Sequence, residues 1–297
     1  MVSIVMATYN GSKFLKEQID SILGQTYQNF EIVICDDCSE DSTWQILQGY
    51  AESDKRFRIY QNNENLGFKK NFEKVIRYAK GDYIALSDQD DIWNPDHLEL
   101  LLQEMSGNIQ LVCGRPTFVD ENNNQLPDKF DYLKMDLIPS SIEDHARHIF
   151  LGVSPYQGAS MLIKKEFFDK ALPIPEEAKF HDSWFAAFAC FYGGLVYLDK
   201  PTMRYRRLDK SVTKSSKHIS AYRRFFWHVK NKNYLKDRPV FIDEIFKRVD
   251  NLTPSQIRLL NEFMKIHKRK NTLIGRISSI PYRLIHFKAI YASSIWK

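Results

Sequence analysis

Apolar and polar positions divide the first hundred residues into short buried runs and one-sided helices. VSIVMA (2–7) is an apolar run followed by the turn Tyr9-Asn10-Gly11-Ser12, as expected of a strand buried on both faces. In KFLKEQIDSIL, Phe14, Leu15, Ile19, Ile22 and Leu23 share one helical stripe, closed by Gly24. FEIVIC (30–35), FRIYQN (57–62) and DYIALS (82–87) predict three further strands. Between them, residues 39–43 supply capping oxygens to a helix through Trp44, Ile46, Leu47 and Tyr50. A second helix, from Phe68 to Ala79, turns Phe72, Val75, Ile76 and Ala79 inward. Asn94-Pro95 opens another, with Asn94 as its cap and Pro95 in the first turn.

Strands and helices in alternation, joined by short connections, predict an α/β fold with a mostly parallel sheet covered on both faces. Ligands of such sheets bind beyond the carboxyl ends of the strands, near the point where strand order reverses. Thr8-Tyr9, Asp36-Asp37 and Asp88-Gln89-Asp90-Asp91 each follow a predicted strand, so three distant segments converge on one rim.

Beyond residue 107 the pattern loosens. GNIQLVCGRPTFVDENNNQ suggests strands joined by a polar turn, and SPYQGASMLIKK (154–165) a turn and then a strand. LVYLDKPTMRYRR reads as two strand-like pieces broken at Pro201. One long uncharged stretch, Trp184 to Leu198, has 15 residues and contains Gly193-Gly194. A bilayer span needs roughly 20 apolar residues, so this stretch reads as a buried helix running into a strand.

Composition adds little: 297 residues, 43% hydrophobic and 27% charged, describe a globular chain. No signal peptide is visible at MVSIVMATYNG, so a cytoplasmic protein is expected, soluble or peripheral on the inner face of the cell membrane. Four cysteines make no disulfide framework at this length, and Cys35-x-x-Cys38 lacks the second half of a zinc site. It reads as a strand end with an incidental second thiol.

Charge changes the picture more. Residues 1–200 hold 19 Lys and Arg against 31 Asp and Glu, whereas residues 201–297 hold 23 against 6. The basic end interleaves aromatics, as in Arg223-Arg224-Phe225-Phe226-Trp227 and IPYRLIHFKAIYASSIWK. This composition suits an anionic membrane surface first, and dimerisation or plain packing second. Nucleic acid is the least favoured partner.

Three carboxylates within Asp88-Gln89-Asp90-Asp91 repel one another unless solvated or neutralised. A D-x-D spacing suits a hard divalent cation, Mg²⁺ or Mn²⁺. No glycine-rich phosphate loop follows the first strand, so a bound diphosphate would have to be gripped through a cation. Such an ion would stabilise charge on a departing nucleoside diphosphate, which points to nucleotide-sugar chemistry.

VSIVMATYNG, IVICDDCSEDST, NENLGFKKNFEKVIRYAKGDYIALSDQDDIWNPDHL and the later HDSW together resemble the family 2 inverting glycosyltransferases of the GT-A fold. The likeness is to a rhamnosyltransferase-like bacterial branch and covers about residues 1–213. It implies a GT-A domain over 1–213, with a nucleotide-binding half (1–106) and an acceptor-side half (107–213), followed by a basic helical region (214–297). It also implies that Ala7, Thr8, Tyr9 and Asp37 contact the nucleobase, that Asp88 lies near the ribose with Gln89 beside it, and that Asp90 ligates the metal. Asn65, Gly67 and Lys70 would line the donor pocket, and Asp182 would be the general base. The donor would be a UDP- or dTDP-linked sugar, and the acceptor a glycan or lipid-linked glycan of a surface or capsular polysaccharide.

The chemistry of that carboxylate agrees, because an attacking hydroxyl must lose a proton. One base without a second carboxylate as nucleophile predicts a single displacement with inversion. Asp182 could equally cap the helix that follows it. The chain departs from the branch after this helix, where Leu208 occupies the position of an expected histidine. Arg206, Arg207 or Lys210 could neutralise the diphosphate instead. Trp93, Gln157 and Trp184 are candidates for the acceptor side, with core packing as the alternative for either tryptophan, and His181 for orienting the site. His145 and His148 share a helical face expected at the surface. Two competing readings are a nucleotidyltransferase that makes nucleotide sugars and a non-catalytic binding module. The first lacks its glycine-rich basic loop at Ala7–Gly11; the second draws on the Leu208 departure.

Overall fold

The computed structural model describes residues 1–127, 138–151, 155–208 and 235–269. The strands are β1 (Val2–Thr8), β2 (Phe30–Asp36), β3 (Phe57–Gln61), β4 (Tyr83–Ser87), β5 (Ile92–Trp93), β6 (Leu111–Val119), β7 (Met161–Lys164) and β8 (Leu195–Arg206). The helices used below are α1 (Leu15–Leu23), α2 (Thr43–Ser53), α3 (Phe68–Tyr78), α4 (His97–Glu104), α5 (Ile142–Leu151), α6 (Phe168–Ala171), α7 (His181–Phe191), α8 (Arg238–Arg248) and α9 (Pro254–Arg269).

All eight strands form one sheet in the order β3-β2-β1-β4-β7-β6-β8-β5. β1 is central, pairing in parallel with β2 on one side and β4 on the other, and it is buried almost throughout. Register then decides where the strands end: Thr8 lies opposite Asp36, and Met6 opposite Ser87. The three turns that follow therefore leave the sheet at one edge, at the reversal of strand order beside β1. The first three connections carry α1, α2 and α3, whose apolar stripes cover the sheet.

The second half joins the first through an antiparallel pairing of β7 with β4, so a single sheet runs across residues 106 and 107. The uncharged stretch is the apolar body of α7, beyond its polar first turn, entering β8, with Trp184 to Ala189 inaccessible to solvent. α8 and α9 close over α5 and α7: Phe241 packs 5.3 Å from Trp184, and Phe263 stacks 5.2 Å from Phe150. The sequence boundary at 213/214 and the basic aromatic segments at 223–227 and 280–297 lie outside the described residues. No helix among those described is long and apolar enough to cross a membrane.

Three local expectations change. Pro201 does not divide β8; the strand is continuous because β6 shifts register at Gly114/Arg115 and Arg115/Pro116, opposite the proline. α4 begins at His97, two residues late, since the Asn94 carboxamide donates to the Pro201 carbonyl (2.8 Å) instead of capping. His145 and His148 are buried, and burial first of all pushes the His145 imidazole down to about 4. All four cysteines are free, with Cys35 and Cys38 both donating to Asn62.

Candidate active site

The rim is welded by side chains from turns far apart in sequence. The Thr8 hydroxyl donates to Asp36 Oδ1 (2.9 Å), which also takes the Ser39 hydroxyl (2.6 Å). Three consecutive backbone N–H groups after β1 donate to the turn before α2: Asn10 to Ser39 Oγ, Gly11 to Thr43 Oγ1 and Ser12 to Asp41 Oδ2. Burial pushes the Asp41 carboxyl up, but hydrogen bonds from Thr43 and Ser12 outweigh it and hold the group down at about 2. Asp41, not the N-cap Ser42, is thus the acceptor that receives the Thr43 N–H at the start of α2. Ala7 is half-buried, Thr8 is buried, and Tyr9 presents an exposed ring (46%).

Asp37 is buried, and its carboxylate organises the neighbouring loop. Oδ1 accepts from the Leu66 N–H (2.8 Å) and Asn62 Nδ2 (2.7 Å), while Oδ2 accepts from the Gly67 N–H (2.8 Å). Gly67 has φ +77°, a left-handed conformation that glycine adopts without strain, and it opens α3. Asn65 bridges the same corner, donating to the Asp37 carbonyl and accepting from Gly67 N–H. Lys70 lies exposed on the first turn of α3. Asn62 and Asn71, which sequence reasoning missed, complete this network: Asn62 donates to Asn71 Oδ1, and Asn71 donates to the Cys35 carbonyl (2.8 Å). The available signal was a polar residue, Asn71, beside Phe72 on the otherwise apolar face of α3.

Gln89 points back to β1, accepting from the Tyr9 N–H and donating to the Tyr9 carbonyl. On either side of it stand the carboxylates. Burial, then the charges of Asp90 and Asp182, push the Asp88 carboxyl up to about 7. Burial raises Asp90 as well, against the opposing influence of Arg206. Asp91 is raised well above the ordinary range by burial and by the charges of Asp90 and Asp88. Its Oδ1 accepts the Arg206 N–H, and Oδ2 is buried without a hydrogen-bond partner among the described residues.

Asp182 comes from the opposite side, in the first turn of α7. It keeps partial access to solvent while protein packs densely around it. Burial pushes it up to about 6, although the Ser183 N–H donates to its Oδ1 and the Arg238 charge opposes the shift. Asp182 is not the cap of α7, a position held by Phe180; it satisfies one N–H of the first turn and keeps an accessible carboxylate. Gly158 makes room for this corner, since a Cβ there would lie 2.9 Å from His181 Nε2 and 3.5 Å from Asp182 Cβ. Lys69, at the start of α3, donates to the carbonyls of Glu176 (2.8 Å) and Ala178 (2.7 Å), tying the approach to α7 against α3.

The remaining candidates separate. Trp93 is buried, donates its indole N–H to the Ala159 carbonyl and stacks on His97, so it belongs to the core. Trp184 is equally buried and donates to the Ala171 carbonyl (2.8 Å). His181 lies among Phe68, Phe72 and Phe185, with its imidazole pushed down to about 4 by burial and neither ring nitrogen hydrogen-bonded to a described residue. Gln157 is half-buried, and its carbonyl receives the Ser160 N–H. Arg206 turns inward and is almost wholly buried, whereas Arg207 stacks 4.5 Å over Phe118. Lys210 lies outside the described residues. No three His, Cys, Asp or Glu side chains among those described converge to hold a metal unaided.

The described geometry has counterparts. Structures of Staphylococcus aureus TarS superpose over nearly the whole chain; its complex with UDP-GlcNAc gives a TM-score of 0.64 at 18% identity, covering 97% of this chain and 81% of that one. The mannosyltransferase PcManGT of Pyrobaculum calidifontis, in complex with GDP-Man and Mn²⁺, gives 0.61 at 15% identity, covering 96% and 75%. These likenesses show the GT-A fold. An uncharacterized glycosyltransferase of Methanocaldococcus jannaschii is 30% identical over 253 residues, 81% of this chain and 83% of its own. The Escherichia coli glucosyltransferase WfgD, which acts on an α-D-GlcNAc-diphosphoundecaprenol, is 36% identical over 132 residues, 44% of this chain and 50% of its own. The family model "Glycosyl transferase family 2" matches residues 3–172, a span that holds the β1 turn, the Asp37 network and the acidic turn. With its sheet, its rim and its sequence in agreement, the chain belongs to glycosyl transferase family 2.

Proposed function

We propose that the chain is an inverting glycosyltransferase of the rhamnosyltransferase-like branch. It would move a sugar, rhamnose foremost, from a UDP- or dTDP-linked donor to a hydroxyl of a bacterial surface polysaccharide or lipid-linked glycan. The carrying observation is electrostatic: Asp88 on the donor side and Asp182 on α7, 94 positions apart in the sequence, are close enough for the charge of one to lift the other. UDP and UDP-sugar complexes of TarS and the lipid-linked acceptor named for WfgD support the substrate classes.

In this reading the exposed Tyr9 ring and the Asp37 loop receive the nucleobase, and Asp88 and Asp90 face the ribose and diphosphate. Mutual repulsion and the partnerless Asp91 oxygen fit a site made for added positive charge. Mg²⁺ and Mn²⁺ are bound in this manner, by one or two carboxylates with phosphates completing the shell. When bound, the ion would neutralise charge on the departing diphosphate. Asp182 takes the acceptor proton; a carboxyl lifted to about 6 remains ionised at neutral pH yet is more basic than an ordinary aspartate. The protein would work in the cytoplasm at the membrane face, its basic C-terminal region against anionic lipid or a second copy of the chain. The division into a 1–213 catalytic domain and a C-terminal region belongs to the same proposal. Release of nucleoside diphosphate, rather than pyrophosphate, from a panel of UDP- and dTDP-sugars tests the reaction type. Inverted anomeric configuration in the product tests the stereochemistry.

A further inference from the structure

β8 ends on a cation that has been removed from water: 1% of the Arg206 side chain is exposed. A buried guanidinium is costly unless its donors are satisfied, so its partners show what the residue is for. The backbone N–H of Arg206 donates to Asp91 Oδ1 (2.9 Å), and Nε–H donates to the Asp90 carbonyl (2.9 Å). One residue thus grips two consecutive members of the acidic turn from 115 positions away. The far edge of the fork is fixed just as firmly. Nη2 donates to Glu17 Oε2 (2.6 Å) in α1, Nη1 to the Glu121 carbonyl (2.7 Å) beyond β6, and the guanidinium lies 4.4 Å over the Phe14 ring. Immediately beyond the turn, Ile92 and Trp93 pair with Arg204 and Met203, so the clamp extends a sheet register already set by β8.

We propose that Arg206 is a positioning residue. Its guanidinium holds the Asp90 carbonyl against α1, while its backbone N–H holds the Asp91 carboxylate, and the side-chain clamp sets the backbone from which Asp90 would present its carboxylate to a divalent cation on the diphosphate. It does not touch the diphosphate itself. The inference rests on the reading of Asp90 as the cation's ligand. Lysine cannot replace the clamp, because a single ammonium does not reproduce a planar fork with three separated acceptors.

The test measures Mn²⁺ binding by the intact protein in the presence of UDP, with free Mn²⁺ followed by electron paramagnetic resonance. UDP and uridine affinities are measured separately in EDTA. Arg206→Lys is expected to weaken Mn²⁺ about tenfold or more, the usual scale for residues that orient a ligand, with metal-free UDP affinity changed less than twofold. Glu17→Ala, at a half-exposed helix position, removes one anchor of the fork and shifts Mn²⁺ affinity in the same direction by less. Folded variants that keep wild-type Mn²⁺ affinity overturn the proposal. If Arg206→Lys does not fold, Glu17→Ala decides by the same criterion. Loss of UDP but not uridine affinity in EDTA would instead show direct contact with the diphosphate and also overturn it. Asp90→Asn separates the underlying reading: Mn²⁺ affinity unchanged in that variant removes Asp90 as ligand, whatever Arg206 does.

Discussion

Gln89 and Tyr9 exchange two hydrogen bonds across the rim, Tyr9 N–H to Gln89 Oε1 at 2.9 Å and Gln89 Nε2 to the Tyr9 carbonyl at 3.0 Å. The pair ties the turn after β1 to the turn after β4, and Gly11 makes it possible. A Cβ at Gly11 would lie 2.2 Å from Gln89 Oε1. Alanine there has to swing the carboxamide away and break both bonds. Gly11→Ala and Gln89→Ala should therefore weaken nucleotide binding alike, by about 1 kcal/mol or roughly fivefold. The double variant should be no worse than either. Isothermal titration with UDP and dTDP reads the cycle, and additive losses would show that the two positions act separately.

The Asp182 carboxyl makes a prediction with two signs. If Asp182 is the general base, its carboxylate is the working form, and the acidic limb of kcat/KM should fall with an apparent pKa near 6, above an ordinary aspartate. Stability runs the other way. A carboxyl raised in the folded state costs stability when it ionises, so the penalty is full above about 6 and fades as pH falls toward its unfolded value. With Mn²⁺ the Asp182→Asn variant should lose activity, yet metal-free it should melt higher than metal-free wild type at pH 7.5, with the gap narrowing toward pH 4. Equal melting temperatures at both pH values would contradict the burial.

The first four strands and the rim they build were legible because each is a short run closed by a turn, with β1, β2 and β4 buried almost throughout. Pairing between neighbours then follows from connection length. β8 was not legible: Pro201 looks like a break until the register shift of β6 at Arg115 is known, and that shift belongs to a different segment. The three acidic residues announced a charged site, but not that Asp91 would face the Arg206 backbone while Asp88 faced Asp182. Likewise Trp93 and Trp184 beside motif aspartates suggested ligand contacts, whereas each indole N–H finds a carbonyl inside the core. Sequence order shows what leaves a strand, and not which long side chain folds back.

Trp184 should accordingly act on stability alone. Trp184→Phe leaves the Ala171 carbonyl without its donor and removes volume beneath Phe241, at a cost of about 1–3 kcal/mol in chemical denaturation. UDP affinity of the folded variant should stay within twofold. A large loss of affinity without loss of stability would return Trp184 to the site.

Arg207, unlike Arg206, follows the last residue of β8 and stacks on Phe118 at the strand end. If it neutralises the leaving diphosphate, Arg207→Ala should lower turnover about tenfold to a hundredfold while changing donor affinity far less. Unchanged turnover removes it from the site.

In the proposed mechanism a carboxylate from α7 completes the rim built by β1, β2 and β4. Turnover by wild type and Asp182→Asn, measured as nucleoside diphosphate released from a UDP- or dTDP-sugar with Mn²⁺ and a glycan acceptor, tests it most directly. Wild type should release the nucleoside diphosphate and the variant should lose about a hundredfold or more of that rate, with donor affinity within twofold. An Asp182→Asn enzyme that turns over at the wild-type rate would contradict that mechanism.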